Sequence, residues 1–498
     1  MAEPEEKASK IAESFSTTPA DALSTTPEPA EATFSWTDGT NTIAYLARAA
    51  HLDVRSDTGK LLAKMFSVSY LALNGEGKPN VERPVTFAFN GGPGSASVLV
   101  NMGGIGPKRV KTDGTNHLGR PTIVEDNPYT LLRESDLVFL DAPGTGWSTL
   151  AADADPKKVF GVDGDADAFC RAITSWLEEH DRWGSPVYLF GESYGTVRNA
   201  VLMRLLAERG VLLTGVTMLS AIFDWVQTQE GEDLYHLGMT PTMAAAAQFF
   251  GRAGQGVDED AWFDKAMDFT EDVLAPALLR GDRLSPAREA EVAEQLAGFI
   301  GLPAEHVRAK HLRIVLDDFR THILADEDKV CGRLDMRFVS DAPCAVQASS
   351  GWLEAEDAAD DATCPSWTMA FRTFLKHELG YSGPARYLIS NYENVGKNWV
   401  WSHQQPGFEY EASAPNFVYD IGVALRRNPR MKLCILGGRY DAATTWWNVV
   451  HDMSILFLSD QLKGRVEYHR YGCGHMAYVD EPTLAQMGAD LDAFYEKA

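Results

Sequence analysis

Apolar residues in this chain fall into short runs bounded by glycine and proline, and many of these runs alternate with stretches of helical spacing. Thr42 to Asp53 and Leu61 to Leu73 predict two strands joined through Asp57-Thr58-Gly59 as a hairpin. Val85–Phe89 and Leu137–Leu140 predict short buried strands. Asp165 to Asp181 is patterned as an amphipathic helix and leads into the apolar run Pro186–Phe190. That run ends at Gly191-Glu192-Ser193-Tyr194-Gly195, and helical spacing resumes from Thr196 to Leu206. Val216–Leu219, Lys432–Leu436 and Arg465–Arg470 predict further strands, and Leu484–Lys497 a closing amphipathic helix. Strands alternating with helices imply an α/β fold with a mostly parallel sheet covered on both faces.

Two segments break the alternation. Residues 1 to about 35 are rich in Ala, Glu, Ser, Thr and Pro and read as a disordered acidic tail. From about 222 to about 380 helical stretches dominate, among them Thr242–Phe250 and Pro286–Ile300, and the segment reads as an inserted helical cap. The expected organisation is a tail over 1–35, a first part of the core over 36–221, the cap over 222–380 and a second part of the core over 381–498.

Three predicted strands end in loops that carry Ser193, Asp441 and His475, in that chain order. Strand, Gly-x-Ser-x-Gly, helix is the context of a nucleophile elbow, and serine–acid–histidine is the order of an α/β-hydrolase. A serine hydroxyl is a weak nucleophile, so His475 is assigned to take its proton and Asp441 to orient the imidazole and stabilise its charge. Asp441 could alternatively cap the helix that follows, and His403 is the nearest rival histidine, with His51 a weaker one. Asn90-Gly91-Gly92-Pro93-Gly94 follows another strand, so the backbone N–H groups of Gly92 and Tyr194 are the expected oxyanion hole. Trp399, Trp401, Trp446 and Trp447 lie near these loops, either walling a pocket or packing the core. Lys108 and Arg109 are expected at the surface.

Composition narrows the function classes. With 45 basic and 70 acidic residues the net charge is −25, which disfavours nucleic acid and anionic membranes as partners. No apolar run is long enough to cross a bilayer, and the acidic Met1–Lys7 has no apolar core behind it. The expected location is therefore cytoplasmic, unless a leader has been lost. The six cysteines form no Cys-x-x-Cys pair, and Cys331, Cys344 and Cys364 are expected as free thiols that could bridge if oxidised. No His/Cys/Asp grouping has zinc spacing, so neither a metal nor a cofactor is expected.

Asn90-Gly91-Gly92-Pro93-Gly94-Ser95, Asp141-Ala142-Pro143-Gly144-Thr145-Gly146-Trp147-Ser148, the Ser193 elbow and Gly472-Cys473-Gly474-His475-Met476 occur in that order. Together they resemble the serine carboxypeptidases, peptidase family S10, over about 40 to 220 and about 385 to 498. The resemblance implies an exopeptidase that takes one residue from the C-terminus of a peptide through an acyl-enzyme on Ser193. It places the substrate carboxylate on Asn90, Gly91 and Glu192, and a shared proton there predicts a preference for mildly acidic pH. Three positions depart from the family pattern: Ala88 stands for a tryptophan, Gly104 for a glutamate and Ser95 for a disulfide-bonded cysteine. The first two weaken the carboxylate site and leave open an esterase or acyltransferase on the same triad. A non-catalytic hydrolase-fold binding protein is the alternative of another class. The expected partner is a peptide with a free C-terminus, and a homodimer is compatible with the sequence.

Overall fold

The structure is a computed structural model and describes residues 26–112, 114–115, 123–343, 357–383 and 386–497. Its centre is a ten-stranded sheet. Nine strands run across it: β1 (Ala30–Thr37), β2 (Thr42–Arg55), β3 (Leu61–Ala72), β4 (Val85–Phe89), β5 (Asp136–Leu140), β6 (Val187–Glu192), β7 (Leu213–Leu219), β8 (Lys432–Gly438) and β9 (Val466–Tyr471). Their spatial order is β1-β2-β3-β5-β4-β6-β7-β8-β9, and the short strand Thr149–Leu150 pairs with β3. β1 to β3 form antiparallel pairs, and β3 is antiparallel to β5. From β5 to β9 every pairing is parallel. This is the α/β-hydrolase fold.

The parallel strands are buried on both faces, as their continuous apolar runs require. One face is covered by α1 (Val162–Glu179), α2 (Tyr194–Glu208) and the helix Val418–Arg427, with Phe169, Trp176, Leu202 and Ile421 in its core. The opposite face is covered by Ala358–Thr373 and Glu481–Lys497, with Trp367, Phe371, Leu491 and Phe494 in its core. A third cluster is built from helices between Asp233 and His322 and includes Phe319, Leu296 and Met243.

Two boundaries differ from the sequence expectation. Residues 1–25 lie outside the described residues, but Ala30–Thr37 is a strand whose register pairs Ala30 with Ala49 and Thr37 with Thr42. The tail reading therefore fails from residue 30 onward. Ala, Glu and Thr dominate this strand, and only its alternating burial, ending on the fully buried Trp36, marks it. The segment 358–380, placed in the cap by its helical pattern, packs on the sheet instead, with Trp367 and Leu375 buried there. Arg109 is also buried, ion-paired to Glu125 at 2.6 Å and Glu481 at 2.8 Å. Cys331 and Cys364 are free thiols, and Cys344 lies outside the described residues.

Candidate active site

Ser193 sits between the end of β6 and the start of α2 with φ 59° and ψ −127°. A non-glycine residue at positive φ costs of order 1–3 kcal/mol and persists only where its surroundings hold it. The Ser193 N–H donates to the Leu219 carbonyl at 2.9 Å, and its own carbonyl accepts from the Thr196 N–H and hydroxyl at 2.8 and 2.7 Å. Strand and helix also meet closely here. A Cβ on Gly191 would lie 2.3 Å from the Gly195 carbonyl oxygen, so a side chain there would push the elbow apart. The hydroxyl is thereby presented at a partly exposed position.

Asp441 and His475 come from the loops after β8 and β9. His475 Nδ1 lies 2.8 Å from Asp441 Oδ2. The other carboxylate oxygen of Asp441 accepts the N–H groups of Ala443 and Thr444 at 2.8 and 3.0 Å. Asp441 thus fills both roles the sequence allowed, shaping the turn before the next helix and holding the imidazole. The Thr444 hydroxyl, 2.7 Å from Asp441 Oδ2, adds a contact that the sequence did not reveal. Burial opposes charging of His475, but the charge and hydrogen bond of Asp441 outweigh it and hold its pKa above the ordinary histidine value. With Nδ1 committed to Asp441, Nε2 is the nitrogen left for Ser193. Ser193 and His475 line the same two cavities, and among the described residues no hydrogen bond joins them. Such contacts often tighten only when substrate binds.

Gly92 lines both cavities too, at φ +110°. Its neighbour Gly91 runs against the start of α2, where a Cβ would fall 2.4 Å from the Tyr194 nitrogen. The double glycine is what lets this loop reach the elbow. The Tyr194 N–H belongs to the first helical residue, which has no intrahelical acceptor. Among the described residues it has no hydrogen-bond acceptor, and it lies at a helix N-terminus, where negative charge is favoured.

Asn90 and Glu192 meet beside the nucleophile. Asn90 Nδ2 donates to Glu192 Oε2 at 3.0 Å, while Asn90 Oδ1 accepts the Val100 N–H at 3.0 Å. The Tyr478 hydroxyl lies 3.0 and 2.9 Å from the two carboxyl oxygens of Glu192. Burial pushes the Glu192 carboxyl up to about 7, against the opposing influence of His475 and the Tyr478 and Asn90 hydrogen bonds. Arg198, a candidate partner for Glu192, instead pairs with Asp165 at 2.6 Å and donates to the Asn90 carbonyl at 2.9 Å.

The two cavities differ in chemistry. The larger, about 340 Å³, is walled by Trp225, Trp401, Phe223, Tyr235, Met239 and Leu316. The smaller, about 230 Å³, holds Asn90, Gly91 and Glu192. Of the four tryptophans near these loops only Trp401 lines either of these two cavities, stacked on Trp225 at 3.5 Å between ring centroids. Trp399, Trp446 and Trp447 are buried in packing.

The family profile for serine carboxypeptidases, Peptidase_S10, matches residues 55–209, the stretch that carries Asn90, the double glycine, Glu192 and Ser193. Over that stretch the chain is similar to the serine carboxypeptidases. It is 32% identical to Serine carboxypeptidase-like 36 of Arabidopsis thaliana over 119 residues, 24% of this chain and 23% of that one. It is 27% identical to Serine carboxypeptidase-like 37 of the same plant over 160 residues, 30% of this chain and 31% of that one. The matches thus span a quarter to a third of these curated relatives. The crystal structure of KEX1(delta)p, a prohormone-processing carboxypeptidase from Saccharomyces cerevisiae, aligns with a TM-score of 0.53 at 13% identity over 91% of this chain and 92% of that one. That likeness is one of fold.

Within the serine carboxypeptidase family pattern, the departure at Gly104 has a local counterpart. The ring of Tyr478 covers Gly103 and Gly104, and a Cβ would fall 2.6 Å and 3.3 Å from it at the two positions. Tyr478 therefore occupies the space over Gly104 and delivers a hydroxyl to Glu192. Tyr478 lies only three residues beyond His475, but nothing in its local sequence marked it. The rival His403 bonds to Asp163 at 2.6 Å and Asp420 at 2.9 Å, which raise its pKa to about 9 against its burial. It is a structural histidine, as is His51, which contacts the Trp147 carbonyl at 3.0 Å. Among the described residues, His306, Asp318 and His322 bring ligand atoms within 4.8 Å of one another. Lys310 already pairs with Asp318 at 3.3 Å, and none of the three lines either cavity.

Proposed function

We propose that this protein is a serine-type carboxypeptidase that hydrolyses the last peptide bond of a peptide through an acyl-enzyme on Ser193. The observation that carries the reading is the Asn90–Glu192–Tyr478 cluster at one side of Ser193, facing an apolar cavity on the other. A free C-terminal carboxylate meets an amide and a carboxyl that keeps its proton up to about pH 7. The penultimate side chain enters the apolar cavity. The last peptide carbonyl is then left over the Ser193 hydroxyl.

In this reading Ser193 Oγ attacks the carbonyl carbon as its proton passes to His475 Nε2, and Asp441 stabilises the imidazolium. The N–H groups of Gly92 and Tyr194 receive the developing oxyanion. His475 returns the proton to the leaving amine, which departs as the free C-terminal amino acid. Water, deprotonated by His475, then attacks the acyl-enzyme and restores Ser193. Release of free amino acid from N-blocked dipeptides, measured beside turnover of p-nitrophenyl esters, tests this. Amino-acid release supports the proposal; ester turnover without it favours the esterase or acyltransferase reading, which the exchange of a family glutamate for Gly104 keeps in view.

A further inference from the structure

Arg333 lies in the turn between the paired strands Lys329–Cys331 and Val339–Asp341. Its backbone is tied down. The Arg333 N–H donates to Asp357 Oδ2 at 2.6 Å, and its carbonyl accepts the Ala442 N–H at 3.1 Å. The next carbonyl, of Leu334, accepts the His475 N–H at 2.6 Å, and Asp335 Oδ2 accepts the Gly474 N–H at 3.0 Å. This turn is therefore stitched to the loops of both Asp441 and His475.

The Arg333 side chain is treated differently from its backbone. The residue is exposed, and among the described residues its guanidinium has no hydrogen-bond or ion-pair partner. It lines both cavities, and among the described residues no other lysine or arginine lines either. The smaller cavity also carries two carboxyl groups, Glu192 and Asp360. A carboxylate entering there meets the Asn90 amide but would be repelled by ionised acid groups unless a cation compensates.

We propose that Arg333 is a substrate-binding residue that pairs with the C-terminal carboxylate of the peptide as it settles on Asn90 and Glu192. This deepens the carboxypeptidase reading and rests on it. A planar guanidinium suits a carboxylate, and anchoring its backbone on these loops keeps the side chain within reach of the Ser193 cavities.

The test compares the full-length wild type with Arg333→Gln and Arg333→Lys on three substrates. These are an N-blocked dipeptide with a neutral C-terminal residue, the same with an acidic one, and a p-nitrophenyl ester that has no carboxylate. Arg333→Gln should raise KM for both dipeptides about 10- to 100-fold, the range of a lost charged hydrogen bond, with ester turnover within about twofold. Arg333→Lys should recover part of the loss. An unchanged dipeptide KM, a parallel fall in ester turnover, or a loss confined to the acidic dipeptide would overturn the assignment. If the wild type turns over ester and reacts with a fluorophosphonate but releases no amino acid from either dipeptide, the carboxypeptidase reading itself fails, and the assignment falls with it.

Discussion

The Tyr478 hydroxyl sits within hydrogen-bond distance of both carboxyl oxygens of Glu192, at 3.0 and 2.9 Å. A phenol proton can serve only one of them at a time, and the second Tyr478 lone-pair contact is available when Glu192 carries a proton. The pair is therefore built for a carboxyl that changes protonation state. Tyr478→Phe removes a donor that favours the ionised form, so the Glu192 pKa should rise above its value of about 7. With more of Glu192 neutral at pH 7, KM for free-acid peptides should fall there. Its pH midpoint should move upward, and a midpoint that stays or falls would contradict the pairing.

On the proposed reaction, Glu192 is the group expected to set the pH dependence of binding. Its pKa is raised, so below about 7 the buried carboxyl is neutral and accepts a substrate carboxylate, and above about 7 two anions face each other. Wild-type KM should rise as pH passes upward through 7. Glu192→Gln is neutral throughout and should give a KM that is flat from about pH 5 to 8. A wild-type KM that is itself flat over that range would remove Glu192 from carboxylate recognition.

Asp441 orients His475 through one hydrogen bond of 2.8 Å. Asp441→Asn keeps the shape but removes the charge and can present the wrong imidazole tautomer. The expected loss in kcat is about 10³- to 10⁴-fold with little change in KM. Because Asp441 raises the His475 pKa, the acidic limb of any residual activity should shift to lower pH. A loss of less than about tenfold would mean another group orients the imidazole.

The turn that carries Arg333 also stabilises the molecule. Asp335 pairs with Arg337 at 2.7 Å, and Arg337 reaches Asp480 at 3.2 Å and the Gly472 carbonyl at 2.8 Å. Asp335→Ala strips the nearest partner from a largely buried guanidinium and leaves the Gly474 N–H unpaired. The expected cost is about 2–4 kcal/mol, read from denaturant unfolding. A cost below about 0.5 kcal/mol would place this network with ordinary surface ion pairs.

The parts of the site that the sequence exposed are those with local constraints. Gly191 must be glycine because the Gly195 carbonyl lies against it, and Gly91 because the Tyr194 nitrogen does, so both leave a readable motif. Asp441 and His475 each follow a strand after a short loop, which placed them at the carboxyl end of the parallel strands. Tyr478, Thr444, Trp225 and Arg333 carry no comparable mark. Tyr478 matters because of where its ring falls over Gly103 and Gly104, and Arg333 because a distant hairpin folds onto two catalytic loops. The segment 358–373 fell inside the stretch read as a helical cap, but its helix packs on the sheet. At Ala30–Thr37 the composition suggested a tail, while the alternation of buried and exposed positions recorded the strand.

The most direct measurement is mass spectrometry of a peptide and its C-terminal amide, incubated together with the wild type or with Ser193→Ala. The account predicts that the wild type shortens the free-acid peptide by one C-terminal residue and spares the amide by comparison, and that Ser193→Ala shortens neither. Equal cleavage of peptide and amide, internal cleavage, or undiminished release by Ser193→Ala would contradict it.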